Sequence, residues 1–232
     1  MIALRRSEDR GRTRLSWLDS RHSFSFGDYR DPRQMGFRTL RVINDDRVSA
    51  GGGFPTHAHR DMEIISYVLD GALEHRDSLG TGSVIRPGEV QRMSAGSGIR
   101  HSEFNPSEKE AVHFLQIWIV PERQGLPPGY QQIAFDQGEA LDRLRLIGDR
   151  NGSPGAITIH QDARVYAALF GAGGADTHDL TAGRGAWVQV ARGIVDLNGI
   201  ELREGDGAAI EDEPAVRLRS ETAAEILLFD LG

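Results

Sequence analysis

Short apolar runs rich in β-branched residues, each closed by a turn signal, recur along most of this chain. The run over residues 63–69 ends at Asp70-Gly71, a dipeptide favoured in tight hairpins, and residues 73–77 follow as the returning strand. Residues 112–120 form the run with the highest density of branched and aromatic side chains, and it stops at a proline. This spacing of runs and turns predicts an all-β fold.

Two segments carry predictions of a more local kind. Residues 37–43 are predicted as a strand that ends at Asn44-Asp45-Asp46, because consecutive Asn and Asp residues are typical of turns. The apolar spacing over residues 139–147 favours a short helix.

The second half of the chain repeats the order of runs in the first half. Residues 188–193 parallel residues 65–71, and residues 202–207 parallel residues 85–89. A repeat of this length indicates an internal duplication, so we predict two similar β-barrels in tandem. We place the N-terminal barrel at 1–125, a turn-rich connector at 126–155 and the C-terminal barrel at 156–232.

Composition excludes several classes of function. The formal net charge of −7 disfavours direct binding of nucleic acid, because an acidic chain repels phosphate. The chain has no cysteine, so any metal ion would be held by nitrogen and oxygen ligands. No apolar stretch approaches the length of a membrane span or a signal segment, and we therefore expect a cytoplasmic protein that does not bind membranes. We also expect a monomer, since two barrels in one chain can cover each other's exposed faces.

Two pairs of residues suit a metal centre: His57 with His59, and His101 with Glu103. Residues two apart in a strand project from the same face, so each pair places both side chains on one side of its strand. Two such strands meeting inside a barrel would bring together three imidazoles and one carboxylate. That set suits iron, manganese, nickel, copper or zinc, and it leaves coordination positions open for small molecules.

The residues around these pairs resemble two motifs of the cupin superfamily. The spacing of one set of residues is similar to the first motif: Gly51, His57, His59, Glu63 and Gly71. The spacing of another set is similar to the second motif: Gly88, Ser94, Gly96, His101 and Asn105. More specifically, residues 18–46, 56–78 and 92–107 resemble the bacterial branch of the pirin family. The resemblance is specific over roughly the first 125 residues and looser beyond them.

The pirin resemblance implies a bicupin, which is a pair of jelly-roll β-barrels in tandem. It also implies one metal ion in the N-terminal barrel, held by His57, His59, His101 and Glu103, and a degenerate C-terminal barrel without metal. Iron as Fe(II) is the metal usually associated with pirins, with manganese, nickel, copper and zinc as alternatives. No other cofactor is expected.

The resemblance leaves more than one function open. Several bacterial pirins are quercetin 2,3-dioxygenases, which open the flavonol ring with dioxygen, and Glu103 would then be the catalytic base. The alternative is a non-enzymatic iron-binding regulatory protein that acts through protein partners. A third option is a different cupin reaction, since a shared fold does not determine chemistry. A metal that small molecules can reach through an apolar cavity would favour catalysis.

Three further residues carry predictions. Glu63 lies one position nearer to His59 than in the commonest cupin spacing, so it is a structural residue or an alternative ligand to Glu103. His22 and His75 lie beside charged residues and are predicted at the surface.

Overall fold

The computed structural model describes all 232 residues, and its regular structure is almost entirely β. A three-residue 3₁₀ helix, Ser7–Asp9, is the one helix present, so no helix has the length and apolarity needed to cross a membrane. The strands, in chain order, are β1 (Ile2–Arg5), β2 (Gly11–Arg14), β3 (Leu18–His22), β4 (Leu40–Val48), β5 (Gly53–His59), β6 (Glu63–Asp70), β7 (Leu73–Asp77), β8 (Gly82–Ile85), β9 (Glu89–Ser94), β10 (Ile99–Phe104), β11 (Val112–Ile119), β12 (Gly129–Ala134), β13 (Arg145–Asp149), β14 (Ile157–Thr158), β15 (Ala163–Phe170), β16 (Ala175–Asp179), β17 (Gly185–Arg192), β18 (Ile194–Leu197), β19 (Ile200–Arg203), β20 (Gly207–Ile210), β21 (Ala215–Arg219) and β22 (Ala224–Leu231).

The N-terminal unit comprises residues 11–134 and 157–161. Its larger sheet has the strand order β12-β9-β6-β11-β4-β3-β2, and its smaller sheet has the order β5-β10-β7-β8. One apolar cluster between the two sheets comprises Leu18, Val48, Val68, Leu73, Ile85, Val112 and Phe114, and a second comprises Ile64, Met93, Ala95 and Ile99. Buried polar side chains occupy another part of the interior and form the site described below.

The C-terminal unit comprises residues 1–10, 135–156 and 162–232. Its larger sheet contains β1, β20, β17, β22, β15 and β13 in that order, and its smaller sheet has the order β16-β21-β18-β19. Sixteen buried apolar residues form one cluster between these sheets, from Ala168 to Leu228. The interior of this unit is therefore a packed hydrophobic core.

The two units share one topology. Strands β4 to β11 of the first unit have counterparts in β15 to β22 of the second, and both the large and the small sheets keep the same order of counterparts. This correspondence confirms the predicted duplication and the all-β bicupin fold, with a cupin-type barrel in each unit.

The helix predicted over 139–147 is wrong. Residues 137–140 form a turn, Asp142 takes a positive φ of 54°, and β13 begins at Arg145. A positive φ breaks a right-handed helix. The conformation is held because the Asp142 carboxylate accepts a hydrogen bond of 2.7 Å from the backbone N–H of Gly171.

The turn predicted at Asn44-Asp45-Asp46 is also wrong, because β4 runs through these residues without a break. All three side chains are buried. Asn44 lies 2.7 Å from His22, and Asp45 lies 2.7 Å from His113. Partners on neighbouring strands thus satisfy groups that would otherwise favour a turn, and tertiary contacts override the local preference.

Candidate metal centre

Three histidines meet on the inner face of the small sheet of the N-terminal barrel. Antiparallel pairing places His101 of β10 directly opposite His57 of β5, and His59 lies two residues further along β5. The ring centroids are 4.5 Å apart for His57 and His101, 4.9 Å for His59 and His101, and 4.7 Å for His57 and His59. Each residue offers a ring nitrogen, and these nitrogens all lie within 4.8 Å of one another.

Hydrogen bonds fix which nitrogen is free on two of these rings. The Nδ1 of His57 lies 2.8 Å from the carbonyl oxygen of Pro55, which can only accept, so Nδ1 carries the proton and Nε2 has a free lone pair. The Nε2 of His101 is buried and has no hydrogen-bond partner. A buried lone pair without a partner is costly, and a metal ion would satisfy it.

A chain of hydrogen bonds behind His101 explains its orientation. The Nε2 of His75 lies 3.1 Å from a carboxylate oxygen of Asp77, so this nitrogen donates. The other nitrogen of His75 then accepts from Nδ1 of His101, at 3.4 Å. The proton of His101 is therefore on Nδ1, and its Nε2 lone pair points away from this chain. Such outer partners commonly orient the histidines that bind metals.

The environment keeps two of the three imidazoles neutral. Burial, together with the neighbouring His57 and His75, lowers the pKa of His101 to about 3. Burial, together with His101 and His57, lowers the pKa of His59 to about 4. Neutral imidazole is the form that binds metal, so these nitrogens are available at neutral pH.

Glu103 is buried on the same strand as His101, beyond a register shift between the two residues. Its Oε2 accepts a hydrogen bond of 2.8 Å from the side-chain amide of Gln116, and its Oε1 lies 3.1 Å from the hydroxyl of Ser66. A second group of ligand atoms within 4.8 Å of one another joins Glu103 to His101 and His75. The structure thus places Glu103 beside His101, while His57 and His59 approach His101 from β5.

A cavity of about 300 Å³ opens onto this cluster. His57, His59 and Glu103 line it together, so both predicted ligand pairs contribute to one wall. The rest of the lining combines apolar and aromatic side chains, among them Trp17, Leu18, Phe26, Phe54 and Trp118, with polar ones such as Asn44, Asp46 and Gln116. The candidate metal centre is therefore reachable from a cavity with aromatic and polar walls that small molecules can enter.

A row of buried polar residues crosses the large sheet opposite Glu103. The pairing register places Asn44 of β4 beside His22 on one side and Gln116 of β11 on the other, and Gln116 lies beside Ser66 of β6. Sequence reasoning missed this row. A signal was present, however, for two of its members: Ser66 and Gln116 each interrupt an otherwise apolar run, where a polar residue must find a buried partner.

Both histidines that were predicted at the surface are buried. His22 is 1% exposed and His75 is 0% exposed. The prediction failed because their charged sequence neighbours point to the opposite face of the strand, while the histidines face inward.

Glu63 is buried but belongs to neither group of candidate ligands. Its Oε2 accepts a hydrogen bond of 3.0 Å from the hydroxyl of Ser94 and lies 3.1 Å from Nδ1 of His160. In this structure Glu63 connects β6 to β9 and to residue 160 of the same unit.

The fold and the site together define the chain as a bicupin whose N-terminal barrel carries a group of histidines and a glutamate suited to binding a metal ion. Comparison with known proteins gives the family. The pirin family profile matches residues 4–119, and a profile described as the quercetinase C-terminal cupin domain matches residues 146–231. The chain belongs to the pirin family.

Several relatives match over nearly their whole length. Quercetin 2,3-dioxygenase of Escherichia coli K12 is 46% identical over 231 residues, which are 100% of this chain and 99% of that protein. The crystal structure of the bacterial pirin YhhW from E. coli in complex with nickel(II) is 45% identical, with a TM-score of 0.95 and coverage of 100% and 99%. A quercetin 2,3-dioxygenase from Acinetobacter baumannii, 22% identical with a TM-score of 0.77 and coverage of 95% and 84%, shares the fold.

Proposed function

We propose that this pirin is a metal-dependent dioxygenase of the quercetin 2,3-dioxygenase type, which cleaves flavonols with dioxygen. The observation that carries the proposal is the cluster of His57, His59 and His101, of which His57 and His59 line a cavity with aromatic sides together with Glu103. The names of the full-length relatives support the same activity.

The proposed ligands of the metal are His57, His59, His101 and Glu103. Free lone pairs on Nε2 of His57 and of His101 support the histidine assignments, and the buried carboxylate of Glu103 beside His101 supports the fourth. Fe(II) is our proposed metal. Nitrogen–oxygen sites of this kind also accept neighbouring metals of the first transition row, and the nickel complex of YhhW agrees with that tolerance.

The metal, when bound, would supply Lewis acidity toward the substrate oxygens and a site for dioxygen chemistry. Glu103 is proposed as the general base that accepts the proton of the flavonol 3-hydroxyl. Gln116 holds the Glu103 carboxylate in place by donating to its Oε2, and the Ser66 hydroxyl lies within hydrogen-bond distance of both Glu103 and Gln116. The aromatic walls at Trp118 and Phe54 would orient the flat substrate and exclude water.

The cavity also helps to distinguish catalysis from the regulatory alternative. A metal closed off by side chains would suit a sensor, whereas this cluster borders a cavity large enough for a small aromatic molecule. The geometry therefore favours catalysis.

The test is metal content of protein purified without added metal, followed by oxygen uptake and carbon monoxide release with quercetin. We expect bound metal and oxygen uptake in the wild type, loss of both in His57→Ala, and loss of oxygen uptake with retained metal in Glu103→Gln. Bound metal without oxygen uptake on any flavonol would overturn the dioxygenase proposal and favour the regulatory one. No metal under any loading condition would overturn both.

A further inference from the structure

Asp46 is a buried carboxylate that the proposed chemistry does not use. It lies on β4, lines the cavity that holds His57, His59 and Glu103, and is only 3% exposed. Ser20, its neighbour across the β3–β4 pairing, hydrogen-bonds to the carboxylate. The Oδ1 atom of Asp46 has no hydrogen-bond partner. A buried, unsatisfied carboxylate oxygen is costly to folding, so its position at a cavity wall points to a ligand.

The position of Asp46 sets its distance from the reacting end of the cavity. Asn44, two residues earlier on β4, belongs to the polar row whose Gln116 contacts Glu103. Two residues of a strand span about 7 Å, so Asp46 lies about that far along β4 from the row that holds Glu103. A molecule that presents one oxygen to Glu103 and a second polar group to Asp46 would span a distance of this order, which is about that across an aromatic ring.

The surroundings of Asp46 suit an aromatic ring. Trp17, Leu18 and Phe54 line the same cavity, and the rings of Trp17 and Phe54 pack edge to face with centroids 5.1 Å apart. Burial, with the charges of Asp45 and Glu103, raises the pKa of Asp46 to about 7. The carboxyl group can therefore either donate or accept a hydrogen bond near neutral pH.

We propose that Asp46 is the residue that selects substrates with a phenolic hydroxyl on the pendant ring, through a hydrogen bond between its Oδ1 end and that hydroxyl. The inference rests on the proposed flavonol function for the identity of the substrate. It adds a specificity-determining residue, with Ser20 as the side chain that holds the other end of the carboxyl group.

The test uses three flavonols that share the 3-hydroxyl and 4-carbonyl but carry two, one or no hydroxyl groups on the pendant ring: quercetin, kaempferol and galangin. Dissociation constants for metal-loaded protein are measured by quenching of tryptophan fluorescence, since Trp17 and Trp118 line the cavity. Metal content and oxygen uptake are measured on the same samples. The variants are Asp46→Leu, Asp46→Asn and, as a matched control, Asp28→Leu, which removes an exposed carboxylate from the lining of the same cavity.

We expect the wild type to bind quercetin more tightly than galangin. Asp46→Leu should weaken quercetin binding by about 10- to 100-fold and bring it close to that of galangin. Asp46→Asn should keep most of the preference, because an amide also hydrogen-bonds to a hydroxyl. Asp28→Leu should leave the preference unchanged.

A folded, metal-loaded Asp46→Leu protein that retains the wild-type preference would overturn the inference, as would a wild type with no preference. If the leucine variant does not fold, Asp46→Ala takes its place and is judged by the same criterion. A preference that depends on Asp46, without oxygen uptake by the wild type, would remove the dioxygenase function and leave this assignment standing. Oxygen uptake by the wild type, combined with a substrate preference that does not depend on Asp46, would support the dioxygenase function and overturn this assignment.

Discussion

The two barrels of this pirin have the same strand topology and opposite interiors. In the N-terminal barrel, β10 points His101 and Glu103 inward, whereas its counterpart β21 in the C-terminal barrel points Val216 and Leu218 into an apolar cluster. The same order of strands therefore supports a candidate reaction chamber in one unit and a hydrophobic core in the other.

The large sheets of the two barrels differ in the same way. The buried residues of β4 include Asn44 and Asp46, whereas those of its counterpart β15 include Ala168 and Phe170. A polar interior is tolerated in the first barrel because nearly every buried group has a partner, such as Asn44 with His22. Two of the buried polar atoms without a hydrogen-bond partner, Nε2 of His101 and Oδ1 of Asp46, lie where the proposed metal and substrate would bind.

The largest expected effect is the loss of metal binding when the interior of the first barrel is made like that of the second. Loss of a residue that only hydrogen-bonds to a metal ligand typically lowers metal affinity by roughly 10- to 100-fold. His101→Leu removes a proposed ligand itself, so its effect on metal affinity should be larger. Metal analysis after gel filtration measures this. His178→Leu is the control, since His178 is on β16, the counterpart of β5, and contacts Asp230 instead of a histidine cluster. Stoichiometric metal in His101→Leu would contradict the ligand assignment.

The next effect concerns stability and should be larger in the second barrel. Leu228→Ala removes a fully buried side chain from the apolar cluster and should cost about 2–5 kcal/mol of unfolding free energy. Ser66→Ala in the first barrel loses one hydroxyl and should cost about 0.5–1.5 kcal/mol. Urea unfolding followed by tryptophan fluorescence compares the two variants. Equal costs would mean that the two interiors contribute alike to stability.

A smaller effect is expected from the chain of hydrogen bonds behind His101. Asp77→Asn can keep the bonds that Oδ1 accepts from the backbone of Leu79 and Thr81, but it presents a donor to His75. The proton of His75 then lies on Nδ1, the nitrogen that faces His101. The tautomer of His101 that leaves the lone pair of its Nε2 free is then no longer favoured. Metal affinity should fall by about 10- to 100-fold.

Competition with a metallochromic chelator measures this affinity. Glu74→Gln is the matched control on the same strand, since Glu74 pairs with Arg76 at the surface. An affinity unchanged in Asp77→Asn would show that His101 does not depend on this chain.

The smallest effect is a pH dependence of stability in the metal-free protein. The pKa of Asp46 is raised to about 7 from the ordinary 3.8, mainly by burial and then by Asp45 and Glu103. Between these values the folded state holds a proton that the unfolded state has lost, so Asp46 makes stability fall as pH rises, by about 1.4 kcal/mol per pH unit. Asp46→Asn removes this contribution.

The variant should therefore gain about 1.4 kcal/mol relative to the wild type when the pH is raised from 5 to 6. Denaturant titrations at the two pH values measure the difference. Because other titrating groups, such as His59 and His101, are common to both proteins, their contributions cancel in this comparison. A difference that is independent of pH would contradict the raised pKa.

The sequence by itself determined the class of fold and the residues at the centre of the site. Periodicity and turn signals such as Asp70-Gly71 are local properties, and they predicted the strands and the hairpin between β6 and β7. The two-residue spacing of His57 and His59 sets one shared face through the geometry of a strand alone. Both motifs could be matched to the pirin family without any knowledge of which residues are in contact.

Only the tertiary structure decided which polar residues belong to the interior. Asn44-Asp45-Asp46 reads locally as a turn, yet β4 continues through it because His22, His113 and Ser20 on neighbouring strands satisfy the side chains. His75 reads as a surface residue, yet pairing of β7 with β10 places it behind His101. Such groups are buried only when partners distant in sequence satisfy them, and those partners come together through strand pairing that no local pattern records.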